Sequence, residues 1–420
     1  MTKGIELFPG ITLRCFPDHR FKQSCLSVQF VRPMCREEAA LNALLPAVLL
    51  RGSVGAPDLR AITLKLDDLY GASVSALVRR VGDYQTTGLC CSFISDRFTL
   101  ADDNILEPVV DFLQELLLSP VLENGVFRED FVESEKKNLI ATIESQLNDK
   151  RAYCAAQLLK KMCRGDSFGI PRLGEVPEVK AITPEGLYRH YRKVLRESRV
   201  ELCYVGDGTP ETVAQLIRKI FRDMDRNYVN LPTQTPFLTQ GGGEFTEQLD
   251  IAQGKLAMGF TSPVNLRTGD FAAMQVCNVI FGGGPISRLF MNVREKMSLC
   301  YDIGSSFHGS KGILTVNAGI DCDKEEFVRT EILRQLEAVR QGQITEEELK
   351  AAKEALISGL RGTHDAPGSI ESYYSNAALS GLGLSPAEYI QRITQVDAAQ
   401  VAAAAGQLRL DTVYFLKGVQ

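Results

Sequence analysis

Residues 281–301 restrict the choice of fold more strongly than any other part of this sequence. They read Phe281-Gly-Gly-Gly-Pro-Ile-Ser-Arg-Leu-Phe-Met-Asn-Val-Arg-Glu-Lys-Met-Ser-Leu-Cys-Tyr301. The glycines Gly282, Gly283 and Gly284 predict a turn that opens a helix, and the backbone N–H groups of such a turn can bind an anion. The lysine and the hydroxyl residue of a Gly-x-x-x-x-Gly-Lys-Ser/Thr phosphate loop are missing. The alternative is therefore a tight turn in which only glycine fits.

Arg294 and Tyr301 are the two residues of this stretch whose side chains are candidates for substrate binding or catalysis. If the helix ends near Met297, Leu299 and Tyr301 begin a strand, and the tyrosine can face a cleft. A guanidinium and a phenol together supply hydrogen-bond donors to a carbonyl and to the oxyanion that develops from it. From spacing alone, such a pair is more often a surface arginine in a salt bridge and a half-buried tyrosine.

The pattern around this stretch repeats an earlier one. Cys25–Phe30 and Lys255–Phe260 both alternate apolar and polar residues, as half-buried strands do. Each is followed by apolar helices and a charged helix, the second opened by a capping box at Thr345 and Glu348. Each half ends on a short capped helix and an apolar strand closed by glycine, at 200–206 and 412–418. The sequence therefore predicts two homologous domains rather than a solenoid.

The predicted fold class is α+β, with two homologous domains that are each a mostly antiparallel sheet covered by helices on one face. A polar segment rich in proline and glycine, which includes Asn230–Pro236 and Gln240–Gly243, predicts a linker between them. We place the first domain at residues 1–223, the linker at 224–248 and the second domain at 249–420.

Composition excludes several classes of protein. The 420 residues are 45% hydrophobic and 24% charged, which is typical of globular proteins rather than disordered or fibrous ones. A net charge of -5 argues against a nucleic-acid partner. The sequence contains no apolar run of the roughly 20 residues that a membrane span requires. Eleven scattered cysteines with no Cys-x-x-Cys pair, and an N-terminus without signal character, predict a cytoplasmic protein with free thiols.

Metal binding has little support among the four histidines. His19, His190, His308 and His364 are all far apart in sequence, so no two share a helix face in the manner of a zinc motif. We interpret each as a surface or capping residue.

The segment Gly282–Tyr301 resembles the second-domain signature of the pitrilysin-type metallopeptidases. It is most similar to the small-subunit branch that includes mitochondrial processing peptidase and its bacterial relatives. The matching pattern is Gly-Gly-Gly-x-x-Ser-Arg-Leu-Phe followed by x-x-Arg-Glu-Lys-x-x-Leu-x-Tyr. The duplicated layout and the linker also agree, so the resemblance covers essentially the whole chain.

The resemblance implies that the zinc site of the family is absent here. Active members carry the inverted zinc motif His-x-x-Glu-His in the first domain. The matching positions read Ala43, Pro46 and Ala47, and the distal ligand falls near Thr142. Alanine offers no ligand atom, and proline cannot accept a proton from a zinc-bound water.

The function that the resemblance implies is that of a non-zinc-binding subunit. We expect no cofactor in this chain and no peptidase activity from the chain alone. A zinc-bearing homologous subunit would be its partner, and Arg294 and Tyr301 would bind a peptide substrate at that partner's site. The glycines Gly282–Gly284 are candidate substrate contacts.

Three alternatives stay open. They are a catalytically silent scaffold, a substrate-recruiting subunit that uses a glycine-rich loop, and an anion-binding module built on the helix after Gly284.

Overall fold

The computed structural model describes residues 4–100, 103–237 and 242–418. Gln240 and Gly241 of the predicted linker therefore lie outside the described residues. The elements of the first half of the chain are β1 (Ile5–Phe8), β2 (Ile11–Pro17), β3 (Gln23–Pro33), α1 (Arg36–Leu49), α2 (Leu59–Asp68), β4 (Ser73–Val81), β5 (Tyr84–Ile94), α3 (Leu106–Leu118), β6 (Leu122–Glu123), β7 (Val126–Phe127), α4 (Glu129–Ser145), α5 (Lys150–Met162), α6 (Val176–Lys180), α7 (Pro184–Glu197), β8 (Arg199–Gly206) and α8 (Pro210–Phe221).

The second half repeats most of this order. Its elements are β9 (Glu244–Leu249), β10 (Gly254–Thr261), α9 (Phe271–Phe281), a π-helix (Leu289–Lys296), β11 (Cys300–His308), β12 (Ile313–Ile320), α10 (Glu325–Arg340), α11 (Glu346–Gly362), α12 (Pro367–Ser380), α13 (Pro386–Gln395), α14 (Ala398–Gly406) and β13 (Arg409–Gly418). Short 3-10 turns occur at Asp96–Phe98, Ser167–Gly169 and Cys322–Lys324.

The first sheet has the strand order β1-β2-β8-β3-β5-β4 and is antiparallel except for the pair β2–β8. Alternate residues of β3 point to opposite faces, as in any strand. Leu26, Val28 and Phe30 enter the main core under α1 and α3, whereas Cys25 faces a smaller cluster with Ile370 and Tyr374 of α12.

The second sheet has the strand order β11-β12-β10-β13-β9, and only the pair β13–β9 is parallel. Leu256, Met258 and Phe260 of β10 pack in the core with α9, while Ala257 between them packs against Cys154 and Leu158 of α5. Helix α5 therefore covers the face of the sheet opposite to that core.

The chain divides into two compact units whose sequences interleave. One unit comprises Met1–Glu144, Arg172–Thr233 and Thr363–Leu379, and the other comprises Ser145–Pro171, Gln234–Gly362 and Ser380–Gln420. Helix α12 therefore belongs mainly to the unit of the first sheet, and α5 belongs to the unit of the second.

The predicted fold class is confirmed: two sheet-bearing halves, each mostly antiparallel, carry helices in the same order. The capping box at Thr345 and Glu348 is present, with both reciprocal hydrogen bonds formed. The boundaries at 223 and 249 stay a prediction, although Glu244–Leu249 at the end of the predicted linker forms β9. Across the described ranges, no helix combines the length and apolarity needed to cross a bilayer.

Candidate functional site

The positions that the family resemblance matches to zinc ligands and to the general base lie on α1 and α4. Ala43 and Pro46 are buried in α1, and Ala47 on the same helix is half-buried. Thr142 lies on α4, where its hydroxyl donates to the carbonyl of Asn138 at 2.9 Å, as exposed helical threonines commonly do. Methyl groups, a pyrrolidine ring and one hydroxyl do not fit zinc, which binds thiolate, imidazole and carboxylate. In the described part of the chain, no three His, Cys, Asp or Glu side chains are grouped to hold a metal ion.

Pro46 alters the hydrogen bonding of α1. A proline inside a helix has no N–H, so the carbonyl four residues earlier, that of Asn42, loses its helical donor. The hydroxyl of Thr87 on β5 donates to this carbonyl at 2.7 Å. Both residues are buried, so the hydroxyl satisfies an acceptor that water does not reach.

The side chain of Asn42 connects α1 to a buried histidine. Its amide nitrogen donates to Oε1 of Gln85 at 2.9 Å, which directs Oδ1 to Nε2 of His190 at 2.8 Å. We therefore assign the Nε2–H tautomer to His190. Burial lowers the pKa of His190 to about 4, so the imidazole is neutral at pH 7. The histidine acts as a neutral donor in a structural network.

A charged cluster lies beside this network. The carboxylate of Glu38 on α1 accepts two hydrogen bonds from the Arg32 guanidinium, at 2.7 and 2.9 Å, and one from Lys193 at 2.7 Å. Burial alone raises the pKa of Glu38, but the bonds from Arg32 and Lys193 outweigh it and bring the pKa to about 2. Polar side chains near the degenerate motif are thus already paired with one another.

The glycine turn closes α9. The N–H groups of Gly282 and Gly283 both donate to the carbonyl of Asn278, at 2.9 and 2.8 Å. A Cβ on Gly283 would lie 2.8 Å from Cα of Val279, whereas one on Gly284 would meet nothing within 4 Å. Close packing therefore requires glycine at 283 and not at 284. Two of the three N–H groups proposed to bind an anion or a peptide are used by the helix end.

Arg294 lies on the π-helix that follows this turn. Leu289 and Val293 anchor the π-helix in the core, while the Arg294 side chain is 38% exposed. Its guanidinium carbon lies 4.4 Å from the ring centroid of Phe290, one turn earlier, and a nitrogen lies 3.4 Å from Glu295. This distance fits a cation–π contact between the guanidinium and the Phe290 ring.

Tyr301 lies on β11, an edge strand of the second sheet. The connection from the π-helix passes through Ser298, a non-glycine residue with φ of 48°. The helix ends and the strand begins where the sequence predicts, and Tyr301 is 62% exposed. Its hydroxyl donates to Oδ1 of Asp321 at 3.3 Å. A bond from Lys324, with a smaller contribution from Tyr301, lowers the pKa of the Asp321 carboxyl.

Arg294 and Tyr301 thus lie in the same compact unit on two elements joined by a short strained turn. Across the described residues, no hydrogen bond joins the two side chains. Sequence reasoning missed Phe290 and Asp321. The spacing of Phe290 and Arg294 by four residues on a helix would have revealed the first. The second depends on the pairing of Cys300 with Ile320, which the sequence does not give.

Comparison with known proteins agrees with this arrangement. Residues 181–356 match a family model described as the peptidase M16 inactive domain. The chain is 29% identical over 411 residues to a Bacillus subtilis protein named as a probable inactive metalloprotease, YmfF, and the match covers 98% of this chain and 96% of that protein.

Two solved structures share the fold. A conserved protein from Enterococcus faecalis has a TM-score of 0.92 and 29% identity, with 99% of this chain and 98% of that chain covered. The peptidase M16 inactive domain from Pseudomonas fluorescens has a TM-score of 0.82 and 18% identity, with 100% and 98% covered.

The duplicated sheets are the fold that this chain shares with these peptidase-like proteins. The chain is thus similar to the peptidase M16 inactive domain over residues 181–356, and over almost its whole length to a relative named as a probable inactive metalloprotease.

Proposed function

We propose that this chain is the non-zinc-binding subunit of a heterodimeric metallopeptidase, of the small-subunit type related to mitochondrial processing peptidase. One observation carries the proposal: the partly exposed Arg294 and the exposed Tyr301 flank a strained connection, while Ala43, Pro46 and Ala47 offer no ligand. A partner of the same fold with His-x-x-Glu-His would hold the zinc. This chain's own residues would bind and orient the peptide.

The backbone conformation near Arg294 and Tyr301 supports a functional role for this part of the chain. π-Helices are rare and occur frequently at functional sites. A non-glycine residue at positive φ, such as Ser298, costs on the order of 1–3 kcal/mol and persists where the surrounding structure holds it. Arg294 lies on the π-helix and Ser298 lies between Arg294 and Tyr301, so both features affect the direction of the two side chains.

Arg294 would donate to a backbone carbonyl of an extended peptide. Its guanidinium carries a fixed charge and several N–H donors, and stacking on Phe290 leaves the outer edge open to solvent. Its contact with Glu295 joins two partly exposed side chains and is therefore weak.

Tyr301 would donate its hydroxyl proton to the oxygen that becomes negative during peptide cleavage. Its present acceptor is Asp321, at 3.3 Å on the surface. A net hydrogen bond is worth about 1 kcal/mol, so a substrate oxyanion can take its place at small cost. We place this chemistry in the cytoplasm, which is supported by eleven free thiols.

The experiment is reconstitution with a zinc-bearing homologue from the same genome. We expect cleavage of an extended peptide only by the mixed complex, and Tyr301→Phe lowers kcat by about 10²–10³ because one oxyanion donor is lost. Tyr70→Phe is the matched control, since Tyr70 is also an exposed tyrosine bonded to an aspartate, Asp103. Arg334→Ala, which removes an exposed surface arginine, is the control for Arg294→Ala.

Unchanged cleavage by Tyr301→Phe and Arg294→Ala complexes would refute the catalytic role. A silent scaffold is the second candidate, favoured by the word inactive in the names of the relative and of the family model. It predicts that a complex assembles and that its cleavage is insensitive to both substitutions. A substrate-recruiting role for the glycine turn predicts instead a raised KM for Gly284→Ala. An anion-binding module predicts thermal stabilisation by inorganic phosphate.

A further inference from the structure

Two cysteines lie side by side on the face of the first sheet that α12 covers. Cys25 of β3 pairs with Ser92 of β5, and Ser27 pairs with Cys90, so the two cysteines are diagonal neighbours on adjacent strands. Their sulfur atoms are 3.7 Å apart. Cys25 is buried and Cys90 is partly exposed. A reagent that enters from solvent therefore meets Cys90 first.

The surroundings distinguish the two thiols. The bond from Cys25, with help from the Arg79 guanidinium, lowers the pKa of Cys90. The same contact, together with burial, raises the pKa of Cys25. The carboxylate of Glu371 on α12 acts against both thiolates, but it is bonded to Arg79 at 2.8 and 3.1 Å. Proton sharing between neighbouring thiols thus favours the thiolate at the accessible one.

We propose that Cys25 and Cys90 form a reversible redox site that reacts with a hydroperoxide. The Cys90 thiolate attacks the peroxide oxygen; an S–O bond forms, the O–O bond breaks, and the departing alkoxide or hydroxide takes a proton. The sulfur of Cys25 then attacks the sulfenic acid; an S–S bond forms, the S–O bond breaks, and hydroxide leaves with the Cys25 proton as water. Two thiols are oxidised, and one hydroperoxide is reduced to an alcohol, or to water, with one further water released.

Disulfide formation between Cys25 and Cys90 requires a local shift of the two strands. The sulfurs must approach from 3.7 Å to about 2.05 Å, and diagonal neighbours on adjacent strands lie about 7–8 Å apart, beyond the usual span of a disulfide. A diagonal pair is less favourable for a disulfide than an ideally placed one, and strained disulfides are more easily reduced. Thiol reductants would therefore reopen the bond, which suits a switch in a reducing compartment.

Cys35 provides a matched comparison. It is also partly exposed, at the start of α1, and its pKa is raised by burial and by Glu38 and Glu37. In the part of the chain that the structure describes, no second thiol is in hydrogen-bond contact with it. We expect Cys90 to be oxidised at least about tenfold faster than Cys35.

The test uses the full chain, treated with hydrogen peroxide and then blocked with N-ethylmaleimide for peptide mapping. We expect the Cys25 and Cys90 peptides to be linked with loss of two hydrogen atoms, at a rate independent of protein concentration, and dithiothreitol to restore both thiols. In the Cys25→Ser variant, Cys90 should remain as a sulfenic acid that dimedone traps. In the Cys90→Ser variant, Cys25 should remain unmodified. The Cys35→Ser variant is the control and should still form the Cys25–Cys90 disulfide. The proposal is overturned if Cys25 and Cys90 stay alkylatable while Cys35 is oxidised, or if Cys90 links only between molecules.

Discussion

The hydroxyl of Thr87 donates a 2.7 Å hydrogen bond to the backbone carbonyl of Asn42, the acceptor that Pro46 leaves without a helical donor. Pro46 occupies the position of the general base in zinc-bearing relatives, as the family resemblance implies. The proline is therefore accommodated by a side chain on the neighbouring strand.

Removing the Thr87 hydroxyl should lower the free energy of unfolding more when Pro46 is present than when it is replaced. Thr87→Val leaves a buried carbonyl unpaired, so we expect a loss of about 1–3 kcal/mol in the free energy of unfolding. In a Pro46→Ala background the new N–H serves Asn42, and the same substitution should cost at least about 1 kcal/mol less. Urea unfolding of the four proteins measures this coupling. Equal costs in both backgrounds would contradict it.

The buried His190 should make stability depend on pH. Its pKa falls from 6.5 to about 4 on folding, so the unfolded chain binds more protons between these values. Stability is then complete above pH 6.5 and is lost as the pH falls toward 4. Between pH 7 and 5 we expect a loss of about 2 kcal/mol from this group.

His190→Gln is the control for this pH dependence of stability, because its side-chain amide N–H can still donate to Oδ1 of Asn42 but the side chain does not titrate. Glu38 faces the same site but stays ionised, since its pKa is about 2, and Arg32 and Lys193 both disfavour the imidazolium. Urea unfolding at pH 7 and pH 5 should give a smaller loss for the variant. Parallel losses for both proteins would assign the pH dependence to other groups.

Glu371 should be an anchor of α12. Its side chain is 1% exposed and accepts bonds from Ser27, Gln29, Arg79 and Ser375. Glu371→Ala leaves these donors unpaired, and we expect a loss of about 3–5 kcal/mol. Glu354→Ala removes an exposed glutamate and should change stability by less than about 0.5 kcal/mol. A difference below 1 kcal/mol between them, read by thermal unfolding, would be evidence against the anchor.

The glycine turn offers a pair of adjacent positions with opposite expectations. Gly283→Ala places a methyl group against the backbone of α9, so a loss of about 1–3 kcal/mol is expected. Gly284→Ala meets open space and should cost less than about 0.5 kcal/mol. Denaturant midpoints of the two variants compare them directly. A larger effect at position 284 would mean that the turn has a different geometry.

Most of the fold follows from local patterns. Alternation in Lys255–Phe260 predicts β10, and the capping box at Thr345 predicts the start of α11. The end of the helix near Met297 predicts that Tyr301 lies on a strand. These features depend on neighbours within a few residues, which a sequence displays directly.

The remaining features depend on contacts that are distant in sequence. Helix α12 carries a buried charge, Glu371, so its sequence lacks the apolar stripe by which helices are recognised. The assignment of α5 and α12 to their compact units also follows from packing rather than from pattern. His190 looks like a surface residue until Asn42 and burial are known.

The most direct test of the missing zinc site is the metal content of the purified chain after exposure to zinc and exhaustive dialysis. We predict less than about 0.1 zinc per chain by elemental analysis, because Ala43, Ala47 and Thr142 supply no strong ligand. One tightly held zinc per chain, removed by a chelator together with solitary peptidase activity, would contradict it.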